Sequence, residues 1–298
     1  MGILRVVPIG ATVHVELETQ YMQELTVDQK LPDYRVRAKN FASDSDNKIH
    51  SDETASQYGF NGGLVPGVGT FGYMTRPVAE LLGREWLERG VMTAKFIKPV
   101  YENDLLTIES HIASTDPLRI VLSVLNAEGT LCAVGEASLP EARGTIDVKA
   151  YPLHPVPDPA QKFAPTVEAL AVGTQLGSVC FPIDLEEIER GVLDDLDDTL
   201  ALYRGTDALC HPALVVFQAN ALMMDSIDLG PWIHTASNVA YHGIPRHGEI
   251  ACLRAKVRNS YVKNGHEIAV LDMALIGEEE RPLAHLTHTA IVRPKMNG

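Results

Sequence analysis

The sequence predicts an α+β fold built twice over, each half an apolar central helix wrapped by a curved antiparallel sheet. Three observations predict it. Each half has a polar middle, then one apolar helical run, then at least three strand-like runs. A proline-dense stretch separates the halves, and Asn264-Gly265 in the second half is a strong two-residue hairpin signal.

In chain order, Ile9-Gly10-Ala11-Thr12 opens an alternation of Val13, Val15 and Leu17 against His14, Glu16 and Glu18, the pattern of a half-buried strand. Asp52, Glu53 and Ser56 suit the first turn of a short helix over 52–58. The first central helix is expected over 67–82. Strands follow over 93–99, 105–114 and 119–139, the last broken at Asn126-Ala127-Glu128-Gly129. Pro152, Pro155, Pro157, Pro159 and Pro165 remove donors and fix φ, so 151–165 reads as an extended, semi-rigid linker. Residues 1–150 and 166–298 are then the two repeats. Val172-Gly173-Thr174-Gln175 opens a strand like that of the first half. The second helix is expected over 211–224, with strands over 234–241, 249–261, 266–276 and 283–292.

The chain has 298 residues, 45% hydrophobic and 21% charged, the balance of a folded globular protein. Its net charge of −14 repels nucleic acid and anionic lipid, so neither is an expected partner. Cys132, Cys180, Cys210 and Cys252 are widely spaced with no C-x-x-C. They read as small buried hydrophobes in a reducing, cytoplasmic compartment. The opening Met1-Gly-Ile-Leu-Arg-Val-Val-Pro lacks the long apolar core of a secretory leader. The apolar run 213–224 is interrupted by Gln218 and Asn220 and is too short for a bilayer.

Function concentrates between Ala42 and Gly67. Asp44 lies six residues before His50 in a loop too polar for a core, and a turn-rich segment then feeds the helix at Gly67. An acid and an imidazole beside a helix N-terminus can move protons next to a polarised carbonyl. The plainer alternative is turn and cap chemistry alone. Gly67-Val68-Gly69-Thr70-Phe71-Gly72 matches G-x-G-x-x-G, but no buried parallel strand precedes it, and close packing of the helix explains the glycines better. His285 and His288 sit three apart on a strand and face opposite ways, and no Cys/His spacing suits zinc, so no metal is expected. A G-x-S-x-G nucleophile is absent. Lys95, Lys98, Arg254 and Arg258 are candidates to meet a phosphate.

The same segment resembles the MaoC-like hydratase and dehydratase family, whose pattern runs S-G-D-x-N-P-[IL]-H-x-D, then A, then G-F, then H-G at the central helix. Asp44 stands fifteen residues before Gly59, and Gly67 eight after it, as in the family. Asn47, Ile49, His50 and Asp52 match the N-P-I-H-x-D part, with Lys48 for Pro; Pro66 stands where the family has His. Counting back five from His50 gives Ser45, so one residue inserted before His50 and one deleted after it reconcile the anchors.

The resemblance implies a double hotdog fold and reversible hydration of a 2-enoyl thioester carried by CoA or an acyl carrier. Asp44 and His50 would activate water, Asn47 would orient it, and the Gly67 and Val68 amides would hold the thioester oxygen. It implies no metal or redox cofactor, and allows a homodimer of double-repeat chains. His211 occupies the family's H-G place in the second half, but with no Asp/His loop before it that half reads as a silent partner shaping the acyl tunnel. The alternatives are a hotdog thioesterase using Glu80 or Asp44, and a non-catalytic acyl-binding protein.

Overall fold

The structure is a computed structural model that describes residues 6–9, 12–15, 23–142 and 144–296, with side chains from residue 25 onward. Three short strands come first: β1 (Val6–Ile9), β2 (Thr12–Val15) and β3 (Gln23–Leu25) form a small sheet of their own. The first repeat then comprises β4 (Tyr34–Arg37), α1 (Asp52–Gln57), α2 (Gly67–Arg89), β5 (Val91–Phe96), β6 (Leu105–Thr115), β7 (Leu118–Leu125) and β8 (Leu131–Leu139). The second comprises β9 (Val179–Pro182), α3 (Leu185–Ile188), α4 (Asp194–Leu196), α5 (Leu214–Ser226), β10 (Ile233–Tyr241), β11 (Ile250–Lys263), β12 (His266–Ile276) and β13 (Pro282–Arg293).

Both repeats share one ten-stranded sheet, ordered β4-β6-β7-β8-β5-β10-β13-β12-β11-β9. Read outward from β5 and β10, the two halves have the same order, so the chain carries an internal pseudo-twofold at that seam. The seam is antiparallel, from Ala236 opposite Lys95 to Ala240 opposite Val91. Alternation sets the faces: in β7, Leu118, Ile120, Leu122 and Val124 are buried while their neighbours are not. The sheet wraps α2 and α5, whose Phe71, Met74, Val78, Val216, Ala219 and Leu222 are fully or almost fully buried. A helix enclosed this way is apolar around most of its circumference, which is what the sequence shows.

Most expected elements appear, shifted by a few residues. The Asn264-Gly265 turn has positive φ at both positions, 53° and 82°, and joins β11 to β12 as expected. Helix α2 runs on past residue 82 through a break at Gly83 (φ 56°, ψ −142°). Two expectations fail. The alternation at Val13 and Val15 belongs to the small separate sheet, and the first strand of the repeat is β4; Leu17 lies outside the described residues. Residues 172–175 turn instead of extending, with Gly173 at φ 88° and the Thr174 amide on the Ala171 carbonyl; the matching strand is β9. Alternation over so few residues fixes a local conformation but not a sheet partner.

The proline-rich segment is extended yet clamped. Tyr151 is buried and its hydroxyl donates to Asp272, while the Phe163 amide and carbonyl bond to Ser226 and Asp228 at the end of α5. Cys132 and Cys210 are buried thiols, as expected. Cys180 and Cys252 are not: they face each other across β9 and β11 and form a disulfide. Distant in sequence, they are brought together by strand register, and the inference of a reducing compartment loses its basis. Among the described residues no helix is long and apolar enough to cross a membrane.

Candidate active site at the seam between the repeats

Turns over residues 41–46 leave Asp44 and Asp46 exposed, then bury Asn47 and Ile49. Asn47 caps the short helical turn Lys48–His50, its side-chain oxygen facing the Ile49 amide at 3.4 Å. The same amide group reaches across to the second repeat. Its oxygen accepts from the Trp232 amide at 3.1 Å, and its nitrogen donates to the Trp232 carbonyl at 3.0 Å. That two-point clamp fixes which way the side chain is turned, so the remaining N–H points at His50 Nε2, 3.2 Å away. His50 Nδ1 lies 2.7 Å from the Leu64 carbonyl. A carbonyl only accepts, so Nδ1 carries the proton and Nε2 is the basic nitrogen. Burial lowers the His50 pKa, with the Leu64 bond opposing it.

These groups border a cavity of about 260 Å³ between the repeats. At about 30 Å³ per water it has room for roughly nine waters, or a short acyl group. Asn47, His50 and Gly67 line it from the first repeat, and Trp232, His234 and Asn220 from the second. Gly67 opens α2, where the first amides have no intrahelical acceptor and the helix dipole is positive. The Gly69 and Thr70 amides bond back to the Pro66 carbonyl; the Val68 side chain is buried in the core. A Cβ on Gly67 would stand 2.8 Å from His234 Nδ1, so only glycine lets helix and imidazole approach so closely. Close packing also explains Gly72, against Leu196.

The structure therefore brings together Asn47, His50 and Gly67, and leaves Asp44 outside. Asp44 is exposed and no part of the wall; Ser45, five residues before His50, turns its hydroxyl back toward the Asn47 carbonyl at 3.4 Å. No Asp or Glu among the described residues lines the cavity. Glu80 is exposed and paired with Arg76. Of the basic candidates only Lys98 borders the cavity; Arg254 is buried against Glu280, and Arg258 donates to Thr287. His285 and His288 do face opposite ways, His285 toward Asp272 and His288 into the core.

Sequence reasoning missed His234. In a regular strand, His234 and Ser237 would point to opposite faces. A β-bulge between His234 and Ala236 puts both on the inner face, and a bulge has no reliable sequence signature here. His234 Nε2 is 2.9 Å from Ser237 Oγ, which is 3.1 Å from His288 Nδ1. The two rings stack at 4.1 Å, and Phe96 packs edge-on against His234. Burial, and then the nearby His288, pushes the His234 pKa well down; burial pushes His288 to about 3.

At the pseudosymmetric position beside α5 the space shrinks to about 20 Å³, lined by His211 and Tyr241. An acid does accompany His211: Asp198, thirteen residues earlier, lies 3.4 Å from its Nε2 and accepts from Arg76 at 2.9 Å. Asp198 and His211 are buried and Arg76 is partly so, and the trio links α2 to the second repeat.

No family model and no curated protein matches the chain. Solved structures do. A protein from Chloroflexus aurantiacus J-10-fl described as a MaoC domain dehydratase superposes with a TM-score of 0.68 at 9% identity, covering 94% of this chain and 100% of that one. A conserved hypothetical protein of Mycobacterium tuberculosis with a double hotdog fold superposes at 0.61 with 14% identity, over 90% and 96% of the two chains. The chain is a double hotdog. A protein of Thermobifida fusca YX described as a thioesterase II reaches 0.50 at 14% identity, over 89% and 94%. At such identities the likeness carries the double hotdog fold and no particular reaction.

Proposed function

We propose that this double hotdog protein reversibly hydrates a 2-enoyl thioester at the N-terminus of α2. The observation that carries the reading is His50: a neutral imidazole of fixed tautomer in the wall of an apolar cavity that also receives the start of a helix. In the proposed reaction, His50 Nε2 takes a proton from water as the water oxygen bonds to C3. The π electrons move toward the thioester oxygen, held by the Gly67 and Val68 amides. The His50 imidazolium then returns its proton to C2. Dehydration is the reverse, and neither direction needs a metal or redox cofactor. Asn47 holds the imidazole and incoming water, Phe60, Phe96 and Ile291 contact the acyl chain, and Lys98 at the wall meets a CoA or carrier phosphate.

A carboxylate-based thioesterase finds no support in a wall without Asp or Glu among the described residues. The same absence favours one second reading, an acyl-thioester binding protein without turnover. Mixing the protein with crotonyl-CoA and with a 2-octenoyl-CoA separates them. Loss of enoyl absorbance is expected. Release of free thiol would mean hydrolysis instead; saturable binding with neither would mean a binding module. Absence of all three removes the acyl-thioester reading.

A further inference from the structure

Of the buried polar side chains lining the cavity, the hydration scheme leaves Thr70 and His234 unused, and of these two it is His234 that carries an unpaired atom. It is 7% exposed, lines the cavity, and keeps Nδ1 without a partner among the described residues. That nitrogen lies against the first turn of α2, where the thioester oxygen would sit. The bulge that turns His234 inward also sets its Nε2 on Ser237, and strand register places Ser237 directly opposite His288. Bulges that re-aim one side chain are frequent beside active sites.

The hydroxyl of Ser237 sits between two imidazole nitrogens, so it accepts from one ring and donates to the other. In one arrangement His234 donates from Nε2 and His288 carries its proton on Nε2, an atom buried with no partner among the described residues. In the other, His288 donates from Nδ1 to Ser237, Ser237 donates to His234 Nε2, and the His234 proton stands on Nδ1, against the first turn of α2. Each arrangement strands one buried N–H, at His288 Nε2 in the first and at His234 Nδ1 in the second, so an acceptor placed at the start of α2 satisfies the second alone and selects it. Burial and the positive end of α2 both keep His234 neutral.

We propose that His234 of the second repeat completes the oxyanion site of the first, donating from Nδ1–H to the thioester oxygen with its tautomer set by Ser237 and His288. The role rests on the reading of the cavity as an acyl-thioester site, though not on which reaction occurs there. No proton is transferred by His234; it remains a neutral hydrogen-bond donor while charge builds on the oxygen. Donors of this kind typically contribute about 10²–10³ in turnover. His234 is thus a catalytic residue, and Ser237 and His288 are positioning residues.

Two measurements test this. Nitrogen NMR of the histidine-labelled protein saturated with 4-(dimethylamino)cinnamoyl-CoA should show His234 protonated at Nδ1 and bare at Nε2. Ser237→Ala should mix the two tautomers. Protonation at Nε2 in the unaltered protein overturns the proposal, whatever reaction the protein performs. In the second, 4-(dimethylamino)cinnamoyl-CoA is bound and its absorbance read as a gauge of carbonyl polarisation. The unaltered protein should shift it to the red; His234→Ala and Ser237→Ala should bind it with a smaller shift, and His234→Ala should lose roughly 100-fold or more in kcat with a smaller change in KM. Binding with an unchanged shift, or turnover within twofold, sinks the oxyanion role and leaves the hydratase reading standing. Failure of the unaltered protein to bind the probe sinks the acyl-thioester reading and the role with it.

Discussion

His50 is legible twice, once as part of an N-x-I-H pattern and once as a half-buried imidazole whose Nδ1 is held by Leu64. As a base it works deprotonated, and burial lowers its pKa, so turnover should be level above the ordinary histidine value of about 6.5 and fall only below it. A pH–rate profile of kcat/KM with its acid limb above 6.5 would contradict this. His50→Ala should cost about 10² or more in kcat, measured with crotonyl-CoA. Asp44 was equally legible as a residue type, yet the turns of 41–46 leave it in solvent. Asp44→Asn should therefore change turnover less than twofold; a large loss would place the carboxylate back in the mechanism. Lys98→Ala should raise KM for a CoA substrate with little effect on kcat. The same substitution should leave KM unchanged for an N-acetylcysteamine thioester, which carries no phosphate.

Among the elements, α2 decides the most. Its first glycine is pressed on His234, so Gly67→Ala forces helix and imidazole apart. The expected cost is about 1–3 kcal/mol of stability, from overpacking, together with a loss of turnover. Denaturant melts and a crotonyl-CoA assay on one preparation check both, and an unaffected variant would show that the approach is looser than described. The central helix, the hairpin at 264–265 and most strands could be read from periodicity and turn chemistry, because these act over a few residues. The bulge in β10 could not. It arises where two strands of unequal local length are held in register by the sheet around them.

Over the whole molecule, the pseudo-twofold creates two related positions, and only the one beside α2 is open. Stability should reflect the buried histidines. His234 and His288 have pKa values below those of the unfolded chain, so the unfolded state binds protons first as pH falls. Stability is full above about pH 6.5 and is lost below it, for His288 down to about 3, at up to roughly 1.4 kcal/mol per pH unit for each group. Urea melts at pH 7 and pH 5 should show lower stability at pH 5, with the difference reduced in His288→Gln. The Cys180–Cys252 link closes a separation of 72 residues and ties edge strand β9 to β11. Replacing both with serine should cost about 2–4 kcal/mol and leave two buried thiols that react only on unfolding. Equal stability with and without the pair would show that the strand needs no tether.

What the residues alone determined was local: two apolar helices, alternating strands, a proline-stiffened connection, a hairpin at Asn264-Gly265 and a polar loop carrying Asn47 and His50. These follow from backbone sterics and from a side-chain period that neighbours in sequence impose. Which acid or base faces the cavity was decided by contacts between residues far apart in the chain. Trp232 clamps Asn47, a bulge swings His234 inward, and register joins Ser237 to His288 and Cys180 to Cys252. Such contacts depend on strand register and on how the two halves of one sheet meet at their seam, and no window of sequence contains both partners.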